Sequence, residues 1–279
     1  MLIRKMLHAC FALCLCALLS SPVLAETAGK AESLVIGDSF TMPSKALGET
    51  RRITVYRPPG YAGAGSERVP VLYMPDGGIA EDFLHVAGLV QVLGGNGTMR
   101  PFLLVGIENT ERRRDLTGPT SNAQDKTIAP HVGGSAAFRT FIRDELMPTI
   151  RARYRTTDET AIVGESLAGL FVVETFLLEP GLFDTYIAFD PSIWWNDGTL
   201  VDDAAATLRG RPGAGKRLYI AQSRDEMKPG MALRFSNVLK DSAPKDLDWT
   251  YVPMPTETHA TIYHPAALQA FRKLFKPAG

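Results

Sequence analysis

The 279-residue chain sets 30 Lys and Arg against 30 Asp and Glu, with 45% hydrophobic and 22% charged residues. This composition excludes a disordered or collagen-like chain, and the even charge leaves no broad basic field for nucleic acid or an anionic membrane. The length suits one large α/β domain.

The chain opens with Arg4 and Lys5, an apolar stretch from Ala9 to Leu19, and small residues at Val23 and Ala25. That order reads as a secretory signal peptide over residues 1–25, cleaved after Ala25. The apolar stretch would span about 16 Å as a helix, near half of a bilayer core, so it is too short for a membrane anchor. Cys10, Cys14 and Cys16 all fall inside this leader, in the wrong place for lipidation. Its removal leaves a cysteine-free, slightly acidic chain, expected to be periplasmic or secreted, that must be stabilised by its core.

Residues 26–279 show no internal repeat or long linker and read as one domain. Short apolar runs predict strands at Arg52–Tyr56, Val69–Met74, Phe102–Glu108, Thr160–Val163, Tyr186–Phe189, Arg217–Ala221 and Asp248–Val252. Several lack alternation, as strands buried on both faces do. Between them, Ser135 is placed to cap a helix carrying Phe138, Phe141, Ile142, Leu146 and Ile150, which Pro148 should kink. Leu167–Leu178 predicts a helix buried on nearly every side, and Pro265–Phe275 a closing helix with proline in its first turn. Such alternation implies an α/β fold with a mostly parallel sheet covered on both faces.

The run Thr160–Leu170 carries the strongest chemical signal: a buried strand enters Gly164-Glu165-Ser166-Leu167-Ala168-Gly169 and continues as a helix. Hydrolases of the α/β type hold their nucleophilic serine on this sharp turn, where the strained backbone accepts small residues two positions to either side. A helix starting after Ser166 also points free N–H groups at a developing oxyanion, with Leu167 as one donor. Ala168 departs from the usual glycine by one methyl group.

A serine nucleophile needs a base, which in this fold lies downstream. His85 and His131 precede Ser166, and His264 reads as a cap or surface residue beside Pro265. His259, between the last strand and the last helix, is the expected base. The third member should be a carboxylate after the preceding strand, where Asp225 and Glu226 are neighbours. Pro75-Asp76-Gly77-Gly78 offers the second oxyanion donor, with Gly78 expected to supply its N–H.

These residues sit among blocks that resemble the esterase family of α/β-hydrolases containing siderophore esterases, feruloyl esterases and S-formylglutathione hydrolase. The blocks are Arg52–Tyr61, Tyr73–Gly77, Val105–Thr110 with Arg112, Arg114–Thr117 and Pro119, Phe141–Pro148, the Ser166 turn and Asp190–Asn196. The resemblance runs from about residue 38 to 275. It implies Ser166 as nucleophile and His259 as base, and favours Glu226 over Asp225 as the acid. In two respects this chain departs from the family pattern: Ala168 replaces a glycine, and Asp190 stands where relatives usually carry serine.

The expectation is therefore an exported serine esterase working through an acyl-enzyme on a small-molecule ester, siderophore-type or aromatic. Arg112, Arg114, Trp194 and Trp195 are candidate substrate contacts through charge and stacking; the competing expectation pairs Arg114 with a carboxylate and buries one tryptophan. No cofactor, metal-ligand spacing or membrane span is found after residue 25. An acyltransferase of the same fold is the alternative reaction, and a non-catalytic binding protein the alternative class.

Overall fold

The computed structural model describes residues 30–61, 67–209, 213 and 215–277; the expected leader lies outside them. The chain divides into units at residues 1–35 and 36–279. Within the first, residues 30–35 form no helix or strand and are exposed.

The second unit is built on an eight-stranded sheet. It comprises β1 (Gly37–Ser44), β2 (Glu49–Tyr56), β3 (Val69–Pro75), β4 (Leu103–Ile107), β5 (Thr156–Glu165), β6 (Thr185–Phe189), β7 (Arg217–Ser223) and β8 (Asp248–Met254). Their order across the sheet is β1-β2-β4-β3-β5-β6-β7-β8. β1 and β2 pair antiparallel, β2 meets β4 antiparallel, and every other pair is parallel. The chain crosses from β4 over β3 to β5, so a crevice opens between the carboxyl ends of β3 and β5, where doubly wound sheets place their ligands. β3, β4 and β6 are buried along their whole length, as their unbroken apolar runs require. This is the α/β-hydrolase architecture expected from the sequence.

The helices are α1 (Phe83–Gly95), α2 (Arg112–Leu116), α3 (Ser135–Phe141), α4 (Met147–Arg153), α5 (Leu167–Leu178), α6 (Thr199–Leu208), α7 (Met231–Ser242) and α8 (Tyr263–Leu274). α1 and α8 pack on one face through Phe83, Leu89, Val90 and Phe271. On the other face α3 to α7 cover the sheet through residues such as Phe138, Ile150, Phe171 and Phe235. Helix α5, apolar all round, is buried from Leu167 to Leu177.

All seven expected strands are present, and β1 is an addition. Its half-exposed pattern and its Pro43 suit an edge strand, so it carries none of the apolar signal of the inner strands. The expected helix from Ser135 forms with two differences. Gly134 takes the cap position, and the Ser135 hydroxyl is buried without a partner. Pro148 produces no break; instead residues Ile142–Leu146 widen into a π-turn between α3 and α4. Proline at 148 cannot donate to the carbonyl of Asp144, and the wider turn absorbs that missing bond in place.

The turn that follows β5 has no room for side chains on its glycines. A Cβ on Gly164 would lie 2.6 Å from the Ala168 backbone and 2.7 Å from its methyl group. Gly164→Ala should therefore cost about 1–3 kcal/mol by overpacking, read as a lower urea midpoint at unchanged m value.

Candidate active site

Ser166 leaves β5 with φ 59° and ψ −119°, a left-handed conformation for a residue with a side chain. Its N–H donates to the Phe189 carbonyl at 3.0 Å, and its own carbonyl accepts from Leu170 and Ser192. The backbone is thereby over-determined, which is how such strain persists. The hydroxyl is lifted above the sheet, and Leu167, as the first residue of α5, has an N–H with no intrahelical acceptor.

His259 lies in the turn between β8 and α8, as expected. Its Nε2 is 3.1 Å from Ser166 Oγ, and its Nδ1 is 3.1 Å from a carboxylate oxygen of Asp190. The hydrogen bond to Asp190, with the charges of Glu165, Asp190 and Asp225, raises the imidazole above its ordinary value while burial opposes the rise. Asp190 follows β6 directly with φ 41°. Its side chain is 1% exposed and accepts from Gln222 Nε2 at 2.9 Å and from the N–H and hydroxyl of Ser223, both at 2.5 Å.

This arrangement differs from the expectation for the acid. Glu226 makes no hydrogen bond to the imidazole among the described residues: its carboxylate accepts from the N–H groups of Gly230 and Ala232 and caps the start of α7. Asp225 reaches His259 only through the backbone, accepting its N–H at 3.3 Å. The position facing Nδ1 is occupied by Asp190, a residue marked in the sequence only by its departure from the family's serine.

A second carboxyl flanks the imidazole, and sequence reasoning passed over it. Glu165 Oε1 lies 3.2 Å from His259 Nε2, an ion-pair distance at which its angle makes no hydrogen bond. Burial pushes the Glu165 carboxyl up to about 7, with Asp190 and Asp76 adding to the rise while His259 and Arg112 oppose it. Glu165, Asp190 and His259 also bring ligand-type atoms within 4.8 Å of one another. Both imidazole nitrogens already face proton-transfer partners, so the grouping reads as an acid–base cluster.

The expected second oxyanion donor is not presented to Ser166. The Gly78 N–H donates to Glu81 at 2.7 Å and that of Gly77 to the Ile107 carbonyl at 3.0 Å. The glycines serve packing instead, since a Cβ on Gly77 would lie 2.2 Å from Gly106 Cα.

Beside Ser166 opens a pocket of about 420 Å³, with Leu167, Ile193, Trp194 and Met231 among its apolar walls and Arg112 on its polar side. Arg112 is held by two hydrogen bonds to Asp76, from Nε at 2.7 Å and from Nη2 at 2.8 Å. The four candidate substrate contacts divide. Arg112 and Trp194 line the pocket. Arg114 is held by Glu49 and Asp115 in a network away from it, and Trp195 is 4% exposed with its indole N–H bonded to the Gly118 carbonyl at 2.8 Å. A guanidinium ringed by carboxylates and a buried indole are scaffold, so those two expectations are corrected.

Comparison with known proteins places this geometry in a family. Residues 44–257 match the family described as putative esterase. A 141-residue segment is 36% identical to the ferri-bacillibactin esterase BesA of Bacillus subtilis, covering 46% of this chain and 49% of that one. A 160-residue segment is 29% identical to the siderophore triacetylfusarinine C esterase of Aspergillus fumigatus, covering 51% and 50%. The matched segments thus span about half of each of these relatives. Among solved structures, an IroE-like serine hydrolase from Shewanella oneidensis superimposes with TM-score 0.75 at 31% identity, over 86% of this chain and 80% of that one. The siderophore hydrolase EstB of Aspergillus nidulans shares the fold, with TM-score 0.71 at 21% identity over 90% and 97%. With its Ser166 turn, its sheet order and a family match over most of its length, this chain belongs to the putative esterase family of α/β-hydrolases.

Proposed function

We propose that this protein is an exported serine esterase that cleaves a carboxylic ester through an acyl-enzyme on Ser166. The observation that carries this reading is the unbroken relay Ser166 Oγ–His259–Asp190, with both links at 3.1 Å. In the first half-reaction His259 Nε2 takes the hydroxyl proton as Oγ bonds to the acyl carbon. Oxyanion charge develops opposite the Leu167 N–H and the positive end of α5. The same proton then passes from Nε2 to the departing alcohol oxygen, breaking the ester C–O bond. Water repeats the sequence to release the acid. Asp190 holds the imidazole in the tautomer with its proton on Nδ1 and stabilises the imidazolium as it forms.

The substrate reading is a siderophore-type or aromatic acyl ester. It is supported by the siderophore esterases among the relatives and by a pocket that combines Trp194 with the Arg112 guanidinium. An aromatic acyl group can stack on the indole while the cation meets its anionic or hydroxyl substituents.

A fluorophosphonate should label the folded protein on Ser166 alone, mapped by mass spectrometry, and His259→Ala should abolish both labelling and ester turnover. A folded protein without label would overturn the serine-hydrolase reading. Product analysis with added alcohols should show the free acid as the main product, whereas preferential transfer to the alcohol would mark an acyltransferase.

The carboxylates separate by function. Asp190→Asn should lower kcat on the order of 10³- to 10⁴-fold, the loss seen when a triad imidazole is left in the wrong tautomer. Glu226→Gln should instead cost about 1 kcal/mol of stability through the weakened α7 cap and change kcat far less.

Export is proposed from the leader pattern, and no helix among the described residues is long and apolar enough to cross a membrane. Expressed with its leader in a secreting bacterium, the protein should yield a mature N-terminus at Glu26 by sequencing; an intact Met1 would refute cleavage.

A further inference from the structure

The proposed mechanism uses one carboxylate, yet the imidazole sits between two. The two differ in how they are held. Asp190 is met by Gln222, by the N–H and hydroxyl of Ser223 and by His259. Glu165 Oε1 is buried, has no hydrogen-bond donor among the described residues, and lies 3.2 Å from the nitrogen that exchanges the proton with Ser166. Glu165 is the last residue of β5 and directly precedes Ser166, so its backbone is fixed beside the nucleophile turn.

We propose that Glu165 is a positioning residue for the base: Glu165 and His259, with Oε1 3.2 Å from Nε2, titrate as a pair that holds one proton on either group, and Glu165 thereby sets the range of pH in which His259 is free to accept from Ser166. The proposal rests on the esterase reading above. When the shared proton is on Glu165, the imidazole is neutral and faces Ser166 as a base. When it is on His259, the resulting imidazolium is held by two carboxylates and cannot accept. No other bond is made or broken.

The surroundings allow this exchange. The charged and titratable groups facing Glu165 are His259, Asp190, Arg112 and Asp76, with the buried Tyr263 hydroxyl of α8 also within its field. Asp190 and Asp76 oppose its ionisation, while Arg112, already committed to Asp76, favours it only through space. His259 is faced in turn by Asp190, Glu165 and Asp225. A buried carboxyl pushed up to about 7 therefore competes for a proton with an imidazole raised above its ordinary value, and such neighbours titrate as a pair.

The sign of the effect follows. An ionised Glu165 favours imidazolium, so its neutral isostere should lower the pKa of His259 and extend activity to lower pH. The gain must vanish at high pH, where both proteins carry neutral His259. It must also narrow at the acid end, where the wild-type Glu165 takes up its own proton and resembles glutamine. A structural role would produce no such window.

The test is the pH profile of kcat/KM for a chromogenic ester, p-nitrophenyl butyrate, in wild type and Glu165→Gln. We expect a gain of about three- to tenfold for Glu165→Gln near pH 6, with curves that meet at the alkaline plateau and approach again in acid. Superimposed acid limbs, or a uniform loss at every pH, would overturn the proposal. A second measurement needs neither the variant nor turnover. The imidazole Cε1–H resonance of His259, identified by its loss in His259→Ala, should titrate in two steps in the wild-type protein; one step at an ordinary imidazole pKa would overturn the shared proton. Fluorophosphonate labelling of Ser166 in the same samples separates the two ideas. A labelled serine with superimposed limbs refutes Glu165 alone, while an unlabelled serine refutes the esterase reading and leaves the titration to decide the pair.

Discussion

The site depends on one backbone constraint: the peptide groups of Ser166 are clamped to the end of β6. Its N–H donates to Phe189 and its carbonyl accepts from Ser192, both at 3.0 Å, so the nucleophile turn and residues 189–192 hold one another. Gly169 completes the joint, since a Cβ there would come within 3.0 Å of the Phe189 carbonyl and Pro191. Asp190 lies inside the clamped stretch, with its own N–H on the Ala221 carbonyl at the neighbouring β7. Ser166 and Asp190 are therefore held as one unit. His259 comes from a separate turn and is brought into line by hydrogen bonds at both ring nitrogens. This is preorganisation in a concrete form, with the strain of two left-handed residues, Ser166 and Asp190, offset by the hydrogen bonds that surround them.

A second constraint holds the opposite wall of the pocket. Arg51 on β2 is fully buried, with its guanidinium bonded to Glu49, Thr110, Asp115 and the Glu108 carbonyl and lying 5.3 Å from the Phe138 ring centroid. Arg114 adds bonds to Glu49 and Asp115. Burial works against the Glu49 charge, but the bonds from Arg114, Thr110 and Arg51 hold its carboxyl down at about 2. Removing one member of such a network strands the others in the interior, which is why it fixes geometry more surely than it adds stability. What it fixes is the segment from β4 to α2, and with it the direction from which Arg112 enters the pocket. Of the three arginines at 112–114, Arg112 and Arg113 line the pocket, while Arg114 is tied to Glu49 and Asp115 beside it.

Much of this was legible before any coordinates. Inner strands announce themselves because burial on both faces demands unbroken apolar runs, and the Ser166 turn because its backbone admits only Gly164 and Ala168 at its flanks. His259 follows from chain order and a short histidine list. The helices α1, α2, α6 and α7 were not anticipated: α1 is apolar like the strands beside it, and α2 is a short, charged turn of five residues. The carboxylate facing His259 Nδ1 escaped for another reason. Chain order and family pattern both point after β7, whereas Asp190 was visible only as an odd residue in an otherwise familiar block. Glu165 escaped because one residue between a glycine and a serine carries no periodic signal, and burial alone gives it meaning.

The displaced acid shows how little the fold itself dictates. A triad requires a carboxylate oxygen opposite Nδ1, from whichever element can supply it. Phe189, the last residue of β6, is paired in register with Ala221, two residues before the end of β7, and adjacent strands lie about 4.8 Å apart. A carboxylate leaving β6 can reach the place that one leaving β7 would fill. It does so here with help from β7 itself, because Gln222 and Ser223 turn their donors toward Asp190 and hold it. With that place taken, the loop after β7 is free for other work: Glu226 caps α7 and Asp225 steadies the backbone of the base. A second carboxyl, Glu165, sits on the far side of the same ring, its buried Oε1 without a hydrogen-bond donor among the described residues.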